Sequence, residues 1–94
     1  MRFEVRYSDE AVGQLKKLRA YDRAGIMDQI EQVLMVNPTL ESKAKVKLLR
    51  QPAPTPYRLR VGEFRVFYDV VRETVLVIQI LSKEESIAYL GELS

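Results

Sequence analysis

Polar and apolar residues alternate strictly from Arg2 to Tyr7, with Phe3, Val5 and Tyr7 on one side and Arg2, Glu4 and Arg6 on the other. That period of two predicts a half-buried strand. Ser8 then stands before Asp9 and Glu10 as an N-cap with acids in the first turn. Ala11, Val12, Leu15 and Leu18 recur at helical spacing, which predicts a short helix to about Arg19. Asp22 is placed to cap a second helix with the apolar stripe Ile26, Met27, Ile30, Val33 and Leu34. Asn37-Pro38 ends it, because proline disfavours α geometry in the residue before it. Together these helices predict an αα-hairpin.

Val46, Leu48 and Leu49 predict a strand over Lys45 to Arg50, before Gln51-Pro52-Ala53-Pro54-Thr55-Pro56 imposes a stiff loop with few ladder donors. The next segment, Tyr57-Arg58-Leu59-Arg60-Val61-Gly62-Glu63-Phe64-Arg65-Val66-Phe67-Tyr68, reads as two strands around a Gly-X turn at Gly62-Glu63. With that turn, Val61 faces Phe64, Leu59 faces Val66 and Tyr57 faces Tyr68. Arg60 then faces Arg65. Side chains alternate along a strand, so Arg58, Arg60 and Arg65 share the face opposite Leu59, Val61 and Val66. Opposed like charges are unfavourable, and an anion between them relieves the repulsion.

After a turn at Arg72-Glu73, Val75 to Leu81 is apolar on both faces, the pattern of a central strand covered on both sides. The helix pair covers one face. The other needs the C-terminal segment or a partner, unless the sheet bends over a single core. Ser82-Lys83-Glu84-Glu85 is a capping-box pattern that opens a last short helix bearing Ile87, Tyr89 and Leu90. Lys83 falls where backbone N–H groups and the helix dipole favour a phosphate. The order β-α-α-β-β-β-β-α, with one of the strands short or absent, predicts an α+β fold. Its twisted antiparallel sheet packs against an N-terminal αα-hairpin and a short C-terminal helix.

Length and charge sharpen this picture. The 94 residues suit a single domain over 1–94. Net charge is only +2, yet Lys43 to Arg65 holds seven bases against Glu63, a segment of +6 on a remainder of −4. Such a basic face fits nucleic acid or an acidic protein partner. Cysteine and histidine are absent, which excludes thiolate chemistry, a serine–histidine triad and a histidine zinc site; no metal or cofactor is expected. No apolar run reaches the roughly 20 residues of a membrane span and no signal-peptide core is visible, so a soluble cytoplasmic protein is expected.

The arginine hairpin, preceded by the αα-hairpin and a Lys/Leu strand and followed by a Val/Ile strand ending in a basic residue, resembles the RelE/ParE superfamily of toxins, closer to the RelE-like mRNA interferases. The resemblance spans nearly the whole chain. It implies a RelE-like fold, a type II toxin–antitoxin module, a cognate antitoxin (RelB-like or similar) and mRNA on the ribosome as partners, and no membrane. It implies an endoribonuclease that inhibits translation by metal-independent attack of the ribose 2′-hydroxyl, leaving a 2′,3′-cyclic phosphate. Arg58, Arg65, Lys83 and Tyr89 match its catalytic positions; Lys45, Lys47, Arg50 and Arg60 are RNA-binding candidates. The chain departs from the pattern at Pro56, where familiar members carry a lysine, and at Lys83, which replaces an arginine fork by a point charge. Glu84 or Glu85 is then a candidate base. The alternatives are a ParE-like DNA gyrase inhibitor and a catalytically degenerate RNA-binding relative.

Overall fold

The computed structural model describes residues 2–91. Its elements are β1 (Glu4–Tyr7), α1 (Asp9–Lys17), α2 (Ala20–Gln29) continued by a π-helical turn (Ile30–Leu34), β2 (Val46–Leu48), β3 (Tyr57–Val61), β4 (Phe64–Val71), β5 (Thr74–Ser82) and α3 (Lys83–Gly91). The sheet order is β1-β5-β4-β3-β2. The predicted element order is present, and β2 is the short strand.

The sheet is antiparallel from β2 to β5, as predicted, but β1 joins it as a parallel edge, with Glu4 beside Thr74 and Tyr7 beside Val77. This pairing is not local. The helices carry the chain across the sheet to its far edge, and the meander returns to β1 only with β5. Because β1 ends at Tyr7, it covers β5 only as far as Val77, and α1 seals the rest. Ser8 Oγ donates to the Ile78 carbonyl at 2.7 Å, and the Ile80 N–H donates to Gln14 Oε1 at 2.6 Å.

Ser8 caps α1 as predicted, accepting from the Ala11 N–H at 3.0 Å. The helix closes at Lys17, where Leu18 turns extended, and Arg23 caps the end by donating to the Leu15 and Leu18 carbonyls. Asp22 is not a cap. Extended backbone at Arg19 already starts α2 at Ala20, which puts Asp22 inside the first turn, 3.2 Å from the Arg19 guanidinium and well placed for the helix dipole.

The buried line of α2 and its π turn is Ile26, Ile30 and Leu34, while Met27 is 42% exposed and leaves the predicted stripe. These three meet Leu59, Val66, Tyr68, Val75 and Val77 of the sheet to form the core. The Tyr68 hydroxyl reaches the Pro38 carbonyl at 2.6 Å, fixing the segment after the helices to the sheet. On the other side, α3 packs against β4 and β5 and gives the second face its cover. The C-terminal segment thus takes the role left open between it and a partner.

Candidate nucleic-acid interface

The β3–β4 register is the predicted one: Val61 faces Phe64, Leu59 faces Val66, Tyr57 faces Tyr68 and Arg60 faces Arg65. Gly62 has φ +54, the left-handed conformation that glycine adopts without penalty. Core residues therefore fall on the helix side of the hairpin. Arg58, Arg60 and Arg65 fall on the other, joined from β2 by Lys47, which stands opposite Arg58.

These cations differ in what holds them. Arg65 is buried, and its Nη1 donates to the Gly62 and Phe64 carbonyls, both at 2.9 Å. It clasps the turn. Arg58 is half-buried, and its Nε is sealed from solvent with no hydrogen-bond acceptor among the described residues. Burial lowers its guanidinium pKa from the ordinary value, and Arg65 and then Arg60 lower it further by repulsion. A cation in that state lacks an anion. Arg60 and Lys47 are exposed beside it.

Lys83 opens α3 and is exposed; its backbone N–H donates to the Glu63 carbonyl at 2.8 Å, tying the helix start to the hairpin turn. The capping box forms as predicted: the Glu85 N–H donates to Ser82 Oγ at 3.1 Å, and the Ser82 N–H donates to Glu85 Oε1 at 2.9 Å. The Ser82, Lys83 and Glu85 N–H groups, at the place suggested for a phosphate, are thus engaged by the Glu85 carboxylate, the Glu63 carbonyl and Ser82 Oγ respectively. The Ser82 donors hold the Glu85 pKa below the ordinary value, a poor property for a general base. Glu84 is exposed.

The Tyr89 ring meets Phe67 edge-on, 5.1 Å between centroids at 62°. Phe67 is the cross-strand neighbour of Arg58, so Tyr89 is brought to the arginine side. Burial, and secondarily Glu10, raise the Tyr89 hydroxyl pKa, which keeps it a neutral donor. Phe67 is the residue that sequence reasoning missed. Its signal is an aromatic on the arginine side of the alternation, and it is fully buried.

Two RNA-binding candidates lie apart. The Lys45 ammonium donates to Gln29 Oε1 at 2.9 Å and is drawn to the helix layer. Arg50 is exposed beyond the end of β2. Pro56 presents its carbonyl to the Leu49 N–H at 2.8 Å. Among the described residues no helix is long and apolar enough to cross a membrane.

Comparison with known structures gives the same fold. The toxin–antitoxin complex RelBE2 of Mycobacterium tuberculosis matches with a TM-score of 0.71 at 23% identity, covering 87% of this chain and 99% of that one. A mutant of the Escherichia coli toxin RelE in the free state matches with a TM-score of 0.71 at 20% identity, covering 98% and 97%. The RelB–RelE antitoxin–toxin complex of Methanococcus jannaschii matches with a TM-score of 0.66 at 23% identity, covering 88% and 95%. Comparison with curated protein sequences gives no match. Residues 5–87 match the family model described as the ParE toxin of the type II toxin–antitoxin system parDE, and the chain therefore belongs to that family, a type II toxin of the RelE/ParE superfamily.

Proposed function

We propose that this toxin is an endoribonuclease that cleaves mRNA on the ribosome. The observation that carries the reading is Arg58, whose buried Nε has no acceptor and whose charge is crowded by Arg60 and Arg65. A scissile phosphate at the accessible part of this half-buried guanidinium supplies the missing counter-charge.

In this reading Arg58, with Arg60 and Lys47 at its sides, binds the phosphate. It also stabilises the charge that grows as the ribose 2′-oxygen, its proton passing to water, bonds to phosphorus and the 5′-oxygen departs and takes up a proton. The products are a 2′,3′-cyclic phosphate and a 5′-hydroxyl. Preplaced cations supply several kcal/mol to such a step, whereas a lysine of ordinary pKa, about 10.4, is poorly matched as a base at neutral pH. Arg65 acts from behind by holding the turn. Lys83 and the neutral hydroxyl of Tyr89 flank the site, the latter as a proton donor or a surface for a base to stack on. The partner that restrains the toxin is a RelB-type antitoxin, in line with the complexes that share its fold, and the setting is the cytoplasm.

The test is primer extension on a defined mRNA in translating ribosomes, with Arg58→Met and a ribosome-free reaction alongside. Cuts that need both the ribosome and Arg58 support the reading; a toxin that arrests growth without cutting overturns it. The family match is to a ParE toxin, which keeps one rival in view, the ParE-like reading of DNA gyrase inhibition without nuclease activity. A supercoiling assay on purified gyrase, with the same variant, decides between them.

A further inference from the structure

An open cleft of about 640 Å³ lies between α2 and the β3–β4 turn, on the opposite side of the sheet from the arginines. Tyr21, Gly25 and Phe64 give it apolar walls, and Asp22, Asp28 and Glu63 give it charge; no lysine or arginine lines it. On a chain with a net charge of +2, this is an acidic recess. Its acids are unequal. Asp22 is paired with Arg19 at 3.2 Å, whereas Asp28 accepts from the neutral Gln32 amide at 2.9 Å. Glu63 is exposed at the turn.

The apolar part is also open. Tyr21 is 85% exposed, an unusual position for a ring that could pack. Nothing stands within 4 Å of the place a Cβ would take on Gly25, so the surface of α2 is bare there.

We propose that this cleft docks a segment of a protein partner that carries lysine or arginine beside an apolar side chain. The apolar group seats between Tyr21 and Phe64, and the basic groups reach Asp28 and Glu63. Charge selects the occupant: an acidic segment or an RNA is repelled here and drawn to the arginine face instead. The cleft also shares its turn with that face. The Gly62 and Phe64 carbonyls hold Arg65, and the Glu63 carbonyl holds the start of α3. A partner in the cleft therefore rests on the support of the proposed nuclease site.

The experiment titrates the whole protein into a short fluorescent peptide of leucine and lysine, and into its leucine–glutamate counterpart, with anisotropy as the readout. The lysine peptide should bind in a salt-sensitive manner. The double reversal Asp28→Lys with Glu63→Lys should weaken it about tenfold or more, while Glu73→Lys, outside the cleft, leaves it unchanged. Equal binding to wild type and double variant overturns the proposal. Should the double variant misfold, amide shifts of the wild-type protein decide, since changes that avoid Tyr21, Gly25 and Glu63 overturn it equally. None of these readouts depends on RNA cleavage.

Discussion

Arg65 closes the turn that begins at Gly62: its Nη1 donates to the Gly62 carbonyl at 2.9 Å and, at the same distance, to that of Phe64. A residue whose position suggests phosphate contact thus has one face committed to the hairpin. Arg65→Ala should cost about 1.5–3 kcal/mol, the usual worth of hydrogen bonds from a charged donor. Arg65→Lys should recover less than half, since an ammonium lacks the rigid fork. Urea unfolding measures both, and a wild-type midpoint for Arg65→Ala would remove the clasp from the account.

Arg58 should behave in the opposite way. Its lowered pKa, from burial first and then from Arg65 and Arg60, means that the folded state disfavours its charged form. Arg58→Met should therefore raise stability by a few tenths to about 1 kcal/mol, the scale of cross-strand like-charge repulsion. The same change should weaken RNA binding and reduce its salt slope by about 1. Denaturation and filter binding at several salt concentrations test the pair; a stability loss would show that Arg58 is structurally paired.

Tyr68 is fully buried, stacks on Tyr57 at 5.4 Å and donates to the Pro38 carbonyl at 2.6 Å. Tyr68→Phe should cost about 1–2 kcal/mol at neutral pH. Burial first, and Tyr57 next, raise its pKa above the ordinary 10.0. The folded state keeps the proton after the unfolded chain has lost it, so this contribution is intact below about pH 10 and declines above it. Urea midpoints from pH 8 upward should fall less steeply in Tyr68→Phe than in wild type beyond about pH 10. Parallel curves would place the alkaline sensitivity elsewhere.

Gln14 stands in for a missing strand. The β4–β5 register shifts between Phe67 and Tyr68, and the Ile80 N–H finds the Gln14 carbonyl oxygen at 2.6 Å. The Gln14 amide nitrogen meanwhile donates to Gln79 Oε1 at 2.6 Å. Gln14→Ala should cost about 1–3 kcal/mol, the penalty of a buried donor left unpaired. Hydrogen exchange at the Ile80 amide should accelerate with it; unchanged exchange would mean that water or a neighbour replaces the glutamine.

What the sequence alone determined is whatever depends on neighbours along the chain. Ser8 and Ser82 cap their helices because the acceptor and the N–H it receives lie three residues apart. The Arg60–Arg65 pairing follows from a two-residue turn, since a glycine fixes the register and the period of two fixes the faces. The arginine face was legible for that reason. Only the tertiary structure decided the rest, because those contacts join residues far apart in sequence. The pairing of β1 with β5, the seat of Tyr89 on Phe67, and the draw of Lys45 towards Gln29 depend on where packing brings distant segments. Asp22 lost its predicted cap to a local event, the extended backbone at Arg19, which starts α2 at Ala20. The split between Arg58 and Arg65 is tertiary as well: alternation puts both on one face, but packing and the turn carbonyls leave one guanidinium without an acceptor and engage the other.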